Sequence, residues 1–206
     1  MSQFGNATAI SPMDERSWQL RWPDRKHNPS ESEQLNFEDV VIPNLDAAYS
    51  LARWLVRDPA LAEDVVQDAV ARGLSYFASF RGGDAKAWLM RIVRNTAYTA
   101  VSARQKRWSQ QLADEASYKA AALTVADPAL DPEQALLWKE RTTQLEVALA
   151  ELPTELRECI ILKEVEELSY KEIAQVIGIP IGTVMSRLWR ARQALMHLVK
   201  VSEGHE

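Results

Sequence analysis

Residues 169–195 read SYKEIAQVIGIPIGTVMSRLWRARQAL, two short helical patterns separated by a tight apolar turn. Ser169 and Glu172 stand in S-x-x-E spacing, a capping box that satisfies free N–H groups at a helix start. Gly178 suits the left-handed position that closes such a helix, and Pro180 prevents its continuation. A second helix then begins near Gly182 or Thr183. In it Val184, Leu188, Ala191, Leu195 and Leu198 recur at helical spacing and form one apolar stripe. Ser186, Trp189, Arg190 and Gln193 project the other way, with Met185, Arg187 and Arg192 on the flanks. A single amphipathic helix with arginines is ordinarily only a solvated face. Both caps, the turn and the cationic outer face together predict a DNA-reading helix-turn-helix, whose arginines grip guanine edges or phosphates and whose glutamine pairs with adenine.

The chain has 206 residues, is 47% hydrophobic and contains no apolar run of membrane-spanning length, which predicts one or two small soluble domains. Its first residues, MSQFGNATAISPMDERSW, lack the basic start and apolar centre of a secretory signal, so a cytoplasmic protein with no direct membrane contact is expected. The single cysteine, Cys159 in RECIILK, reads as a core residue. His27, His197 and His205 form no ligand cluster, and neither metal nor cofactor is expected.

A net charge of −5 argues against nucleic acid until its distribution is read. Between 81 and 108 stand seven bases, Arg81, Lys86, Arg91, Arg94, Arg104, Lys106 and Arg107, against Asp84 alone. Residues 181–200 hold four bases and no acid. Residues 36–80 carry seven acids against three bases, and 109–135 carry five acids against Lys119. Two basic patches separated by acidic material suggest two DNA contacts joined by a segment that avoids DNA.

Long helical periodicity without hairpin signals predicts an all-α chain, with helices near 36–56, 59–80, 84–106, 132–151, 154–165, 170–177 and 182–200. Asp58-Pro59 and Asp131-Pro132 each offer a capping side chain followed by proline at the first helical position. The expected organisation is a poorly ordered extension over 1–35, a helical domain over 36–107, a flexible linker over 108–131, the helix-turn-helix domain over 132–200 and a tail over 201–206. Trp18 and Trp22 are unusual for a disordered extension.

In AEDVVQDAVARGLSYF, Val66, Val70, Leu74 and Phe77 align on one side of a helix, while Asp64, Asp68, Ala71 and Ser75 point nearly opposite. That acidic face reads either as solvated surface or as a dock for a basic partner. In the following segment Asp84 can cap a helix whose Leu89, Ile92, Val93, Thr96 and Ala100 face inward. Arg91, Arg94, Tyr98, Ser102 and Gln105 line its other side, with Asn95 at the edge. Cations that track phosphate, an aromatic platform and an amide for a base edge are the equipment for holding a separated strand. Trp88 fits the core or the wall of a base pocket.

Three fragments in this order, AEDVVQDA, FRGGDAKAWLMRIVRNTA and LSYKEIAQVIGIPIGTVMSRLWRAR, resemble the extracytoplasmic-function (ECF) type of the bacterial sigma-70 family over about residues 36–200. The resemblance implies a region 2 helical bundle and a region 4 helix-turn-helix, and promoter-specific initiation with core RNA polymerase through its β′ coiled coil and β flap. It places Asp64, Gln67 and Asp68 at the polymerase. Phe80, Arg81, Trp88, Arg91 and Asn95 surround an everted non-template base of the minus-10 element, with Thr96, Thr99 and Ser102 at its upstream end. Arg94 and Tyr98 join them from the reading of the helix face. Ser186, Arg187, Arg190 and Arg192 lie at minus-35 DNA, where the helix start and outer face add Thr183, Trp189 and Gln193. An anti-sigma factor is an implied partner. Met185 departs from the basic residue common there, and Tyr98-Thr99-Ala100 is less charged than in many relatives, so no promoter sequence carries over. The competing reading is an operator-binding regulator that uses only the helix-turn-helix, with 36–107 as a sensing or dimerisation domain. An enzyme fits poorly: no phosphate loop, metal-ligand spacing or Cys/His pair stands in the sequence.

Overall fold

In a computed structural model of the chain, residues 36–80, 82–111 and 145–203 are described, and among them there is no strand. The first half comprises α1 (Phe37–Val41), α2 (Leu45–Val56), α3 (Pro59–Tyr76) and α4 (Ala85–Gln111). The second comprises α5 (145–151), α6 (Thr154–Ile160), α7 (Tyr170–Ile177) and α8 (Ile181–Glu203). Linker residues 112–131, the helix start at Asp131-Pro132, the extension over 1–35 and Arg81 lie outside the described residues.

Local chemistry sets the boundaries. Asp58 Oδ1 accepts from the Leu61 N–H at 3.2 Å, with Pro59 at the first helical position of α3. The Asp84 carboxylate accepts from the Ala87 N–H at 2.7 Å and starts α4. Two helix ends differ from expectation: α4 runs to Gln111, past the expected end near 106, and α8 runs to Glu203, past the expected end near 200. The helix expected over 154–165 widens into a π turn over Ile161–Val165, where the Glu166 N–H donates to the Ile161 carbonyl at 3.0 Å.

The inner face of α3 also differs. Ala62, Val65, Ala69 and Gly73 are buried, whereas Leu74 is exposed and Val66, Val70 and Phe77 are only partly covered. The reason is close approach: a Cβ on Gly73 would lie 3.4 Å from the Trp88 ring and 3.5 Å from Phe37, so small residues mark the contact. In α4, residues 87–90, 92, 93 and 95–97 are buried around the helix rather than along one stripe. The second half covers the side that the first leaves open, since α4 packs on α7 and α2 on α6.

In the helix-turn-helix, α8 lays Val184, Leu188 and Ala191 against α6 and α7. Leu188 is 1% exposed, so Leu188→Ala is expected to destabilise the second half by about 2–5 kcal/mol through lost burial and a residual cavity. Exposed Met196→Ala should stay within about 0.5 kcal/mol. Urea unfolding followed by circular dichroism checks both, and equal midpoints for the two variants would contradict the packing.

Candidate nucleic-acid interface

The acidic face of α3 presents Asp64 and Asp68 to solvent, as their spacing predicts, and Glu63 and Gln67 are exposed beside them. At its N-terminal end Asp64 borders a groove with Asp58, Arg104, Arg107 and Trp108, and Arg104 pairs with Asp58 at 2.8 Å.

An aromatic cluster at the junction of α3 and α4 holds Phe80 and Trp88, whose rings lie 5.0 Å apart, with Phe77 beside both. Trp88 is 7% exposed and sits in the core, one of the two positions its spacing allowed. Asn95, expected at the edge of the open face, is instead buried, and its Oδ1 accepts from Arg94 at 3.4 Å. Thr96 faces inward with no hydrogen-bond partner for its hydroxyl among the described residues. Thr99 is exposed and donates to the Asn95 carbonyl at 3.0 Å; Ser102 is half-buried. Burial, and then the charge of Arg94, hold the Arg91 guanidinium below its usual pKa.

Arg94 and Tyr98 do not face open solvent. Arg94 donates from Nε to Glu158 Oε2 at 2.8 Å and from Nη2 to Oε1 at 3.2 Å, while the Tyr98 hydroxyl donates to Oε2 at 2.8 Å. Arg187 of α8 approaches Oε1 of the same carboxylate at 3.4 Å. The Arg94 guanidinium also stacks on the Tyr98 ring, 4.5 Å from its centroid. Burial alone would lower the Arg94 pKa, but Glu158 outweighs it and raises it. Burial, reinforced by the same carboxylate, raises Tyr98 well above the ordinary phenol value, so its hydroxyl remains a donor. The adjacent Cys159 thiol is buried and pushed up to about 11, first by desolvation and then by Glu158, which makes it a core group rather than a nucleophile.

Glu158 was absent from the sequence-based set of site residues, yet it joins two of its members on α4 to a third on α8. The available signal was its phase. It shares a helix face with Ile161 and Leu162, so its carboxylate is carried inward, where a charge requires cationic partners.

Along α8 the predicted reading face is presented in part. Trp189, Arg190, Ser186 and Gln193 are exposed, and Thr183 is half-buried near the helix start. The Ser186 hydroxyl donates to the Thr183 carbonyl at 3.0 Å, and Arg190 donates to the Ser186 carbonyl at 3.4 Å. Arg192 turns back to pair with Glu164 at 2.7 Å. The α7 start is a full capping box, with Ser169 and Glu172 bonding each other's backbone, and Gly178 closes it at φ 80°. The turn that aims α8 therefore rests on local backbone chemistry.

Comparison with known proteins agrees with this layout. The family described as Sigma-70 region 2 matches residues 40–107, and Sigma-70, region 4 matches residues 142–195. The chain is 37% identical over 162 residues to the RNA polymerase sigma-H factor of Pseudomonas aeruginosa, covering 77% of this chain and 83% of that protein. It is 36% identical over 140 residues to the ECF RNA polymerase sigma-E factor of Escherichia coli K12, covering 66% of this chain and 73% of that protein. Among solved structures, it is similar to the sigma factor RpoE in complex with the anti-sigma factor NepR from Bartonella quintana. That likeness has a TM-score of 0.65 and 30% identity, and covers 80% of this chain and 97% of the other. With both halves matched in order and the helix-turn-helix built as its sequence requires, the chain belongs to the ECF sigma factors of the sigma-70 family.

Proposed function

We propose that this sigma factor divides promoter-specific initiation among three surfaces. The exposed carboxylates of Asp64 and Asp68, with Gln67, dock on the β′ coiled coil of core RNA polymerase. Phe80, Arg81, Trp88, Arg91, Arg94, Asn95, Thr96, Tyr98, Thr99 and Ser102 hold the melted minus-10 strand. Thr183, Ser186, Arg187, Trp189, Arg190, Arg192 and Gln193 take the minus-35 duplex, with the second half supported by the β flap. The functional boundaries are 36–107 for polymerase and minus-10 binding and 132–200 for minus-35 binding. The protein works in the cytoplasm and brings no reaction of its own, since polymerase supplies the chemistry. The single observation that carries this reading is one exposed acidic helix face followed by an aromatic- and cation-bearing helix and then a capped helix-turn-helix.

An anti-sigma factor is the proposed regulator, supported by the anti-sigma complex of the similar RpoE. Purified chain added to core polymerase should direct initiation from promoters bearing its own minus-35 and minus-10 elements and fail when either is scrambled. Tight operator binding without polymerase, and no polymerase-dependent start sites, would favour the competing regulator.

A further inference from the structure

Glu158 is wholly buried, and three donors from two separate DNA-facing helices converge on it: Arg94 and Tyr98 of α4, and Arg187 of α8. We propose that this carboxylate is an internal stand-in for a nucleic-acid phosphate, an autoinhibitory latch that holds the free chain closed with cations of both reading helices neutralised at one point. The inference rests on the assignment of Arg94, Tyr98 and Arg187 to DNA binding.

The chemistry of the site supports exchange rather than permanent structure. A carboxylate presents two oxygens to a guanidinium in the same fork geometry as a phosphate, so Glu158 and a DNA backbone compete for the same Arg94 donors. A buried ion pair is held by Coulomb attraction against a desolvation cost on both partners, so the closed contact is satisfied without being strongly favoured over solvated, separated groups. Those groups regain water or phosphate on opening. An apolar interface of the same extent would have no such replacement partners.

A second bridge joins the same halves through another base of the 81–108 patch. Lys86 Nζ lies 3.0 Å from Glu166 Oε2 and donates to the Glu166 carbonyl at 2.9 Å, and Glu166 is 4% exposed. Arg57 adds a bond to the Ala150 carbonyl at 3.2 Å. Polar contacts thus tie α2 and α4 to the second half at three places, while one of them also occupies groups that read DNA. In the closed state the fraction of DNA-competent molecules is small, and apparent affinity falls by that fraction.

The experiment compares full-length wild type, Glu158→Gln and Glu166→Gln. Small-angle scattering reports compactness, and fluorescence anisotropy with a single-stranded oligonucleotide reports DNA affinity at fixed low salt. Glu158→Gln should enlarge the radius of gyration and bind the strand roughly tenfold more tightly, within the usual range for coupled sites. Glu166→Gln, which loosens the Lys86 bridge and leaves every cation in place, should shift both readouts the same way by less, and it carries the test if loss of the Arg187 contact unfolds the Glu158 variant. A folded Glu158→Gln chain that remains as compact as wild type overturns the latch. An expanded chain with unchanged strand affinity overturns the competition with phosphate, and the fault then lies with the DNA assignment of Arg94 and Arg187. A purely structural ion pair predicts weaker DNA binding on its removal, not stronger.

Discussion

Capture of core polymerase by the Asp64→Lys/Asp68→Lys double variant is expected to fall by roughly a hundredfold or more, because opposing like charges at an interface costs several kcal/mol. Both carboxylates are exposed one turn apart on α3, and neither belongs to its buried Ala62, Val65, Ala69 and Gly73 face. The substitutions should therefore leave helix content unchanged while opposing a basic partner. Part of the loss should appear as slower association, with the difference from wild type narrowing as salt screens the exposed charges. Glu151→Lys, exposed at the end of α5, controls for a general change of charge. The measurement is a binding titration with labelled core enzyme across a salt series. Retained affinity in a folded double variant would remove α3 as the docking element.

What the sequence disclosed depends on whether the determining chemistry is local. Ser169, Glu172 and Gly178 act within a few residues of one another, and the structure forms the capping box and left-handed closure that their spacing predicts. Asp58-Pro59 behaves likewise. The buried stripe of α8 was legible because it is continuous and packs within its own half. The face of α3 was not: apolar size points to Val66, Val70 and Leu74, whereas helix approach is decided by what can fit under Trp88 and Phe37.

The face of α4 was hidden for a different reason. Its periodicity marks one inner side, but the second half of the chain lies across the other, so Arg94 and Tyr98 lose solvent to Glu158, about 60 positions away. Glu158 belongs to that same long-range contact. An inward-facing acid predicts that a cation must meet it; the identity of that cation requires the fold. Candidate site chemistry was thus readable as a set of groups on helix faces, while the state in which those groups are mutually engaged was not.

Separation of the two DNA tasks is the sharpest remaining expectation. Arg190 is exposed on α8 and, among the described residues, is held only by a 3.4 Å bond to a backbone carbonyl, which leaves it free to reach a base edge or phosphate. Arg190→Ala should weaken minus-35 recognition by about 1–3 kcal/mol if its contact is bidentate to a base, with the loss confined to promoters that carry the correct element. Asn95→Ala should leave that contact intact and impair open-complex formation on duplex promoters, because an amide that reads an everted base acts only after strand separation. Its side chain is buried against Arg94 in the closed chain, so a thermal melt must accompany the assay to exclude simple destabilisation. The decisive substrate is a promoter pre-melted across the minus-10 element, offered with either the preferred or a substituted non-template base. Wild-type holoenzyme should distinguish the two, and Asn95→Ala holoenzyme should lose much of that distinction while still responding to a scrambled minus-35 box. Full discrimination by a stable Asn95→Ala protein would place the base-reading group elsewhere on α4, whereas equal losses from both variants on both elements would mean that the two halves do not read DNA independently.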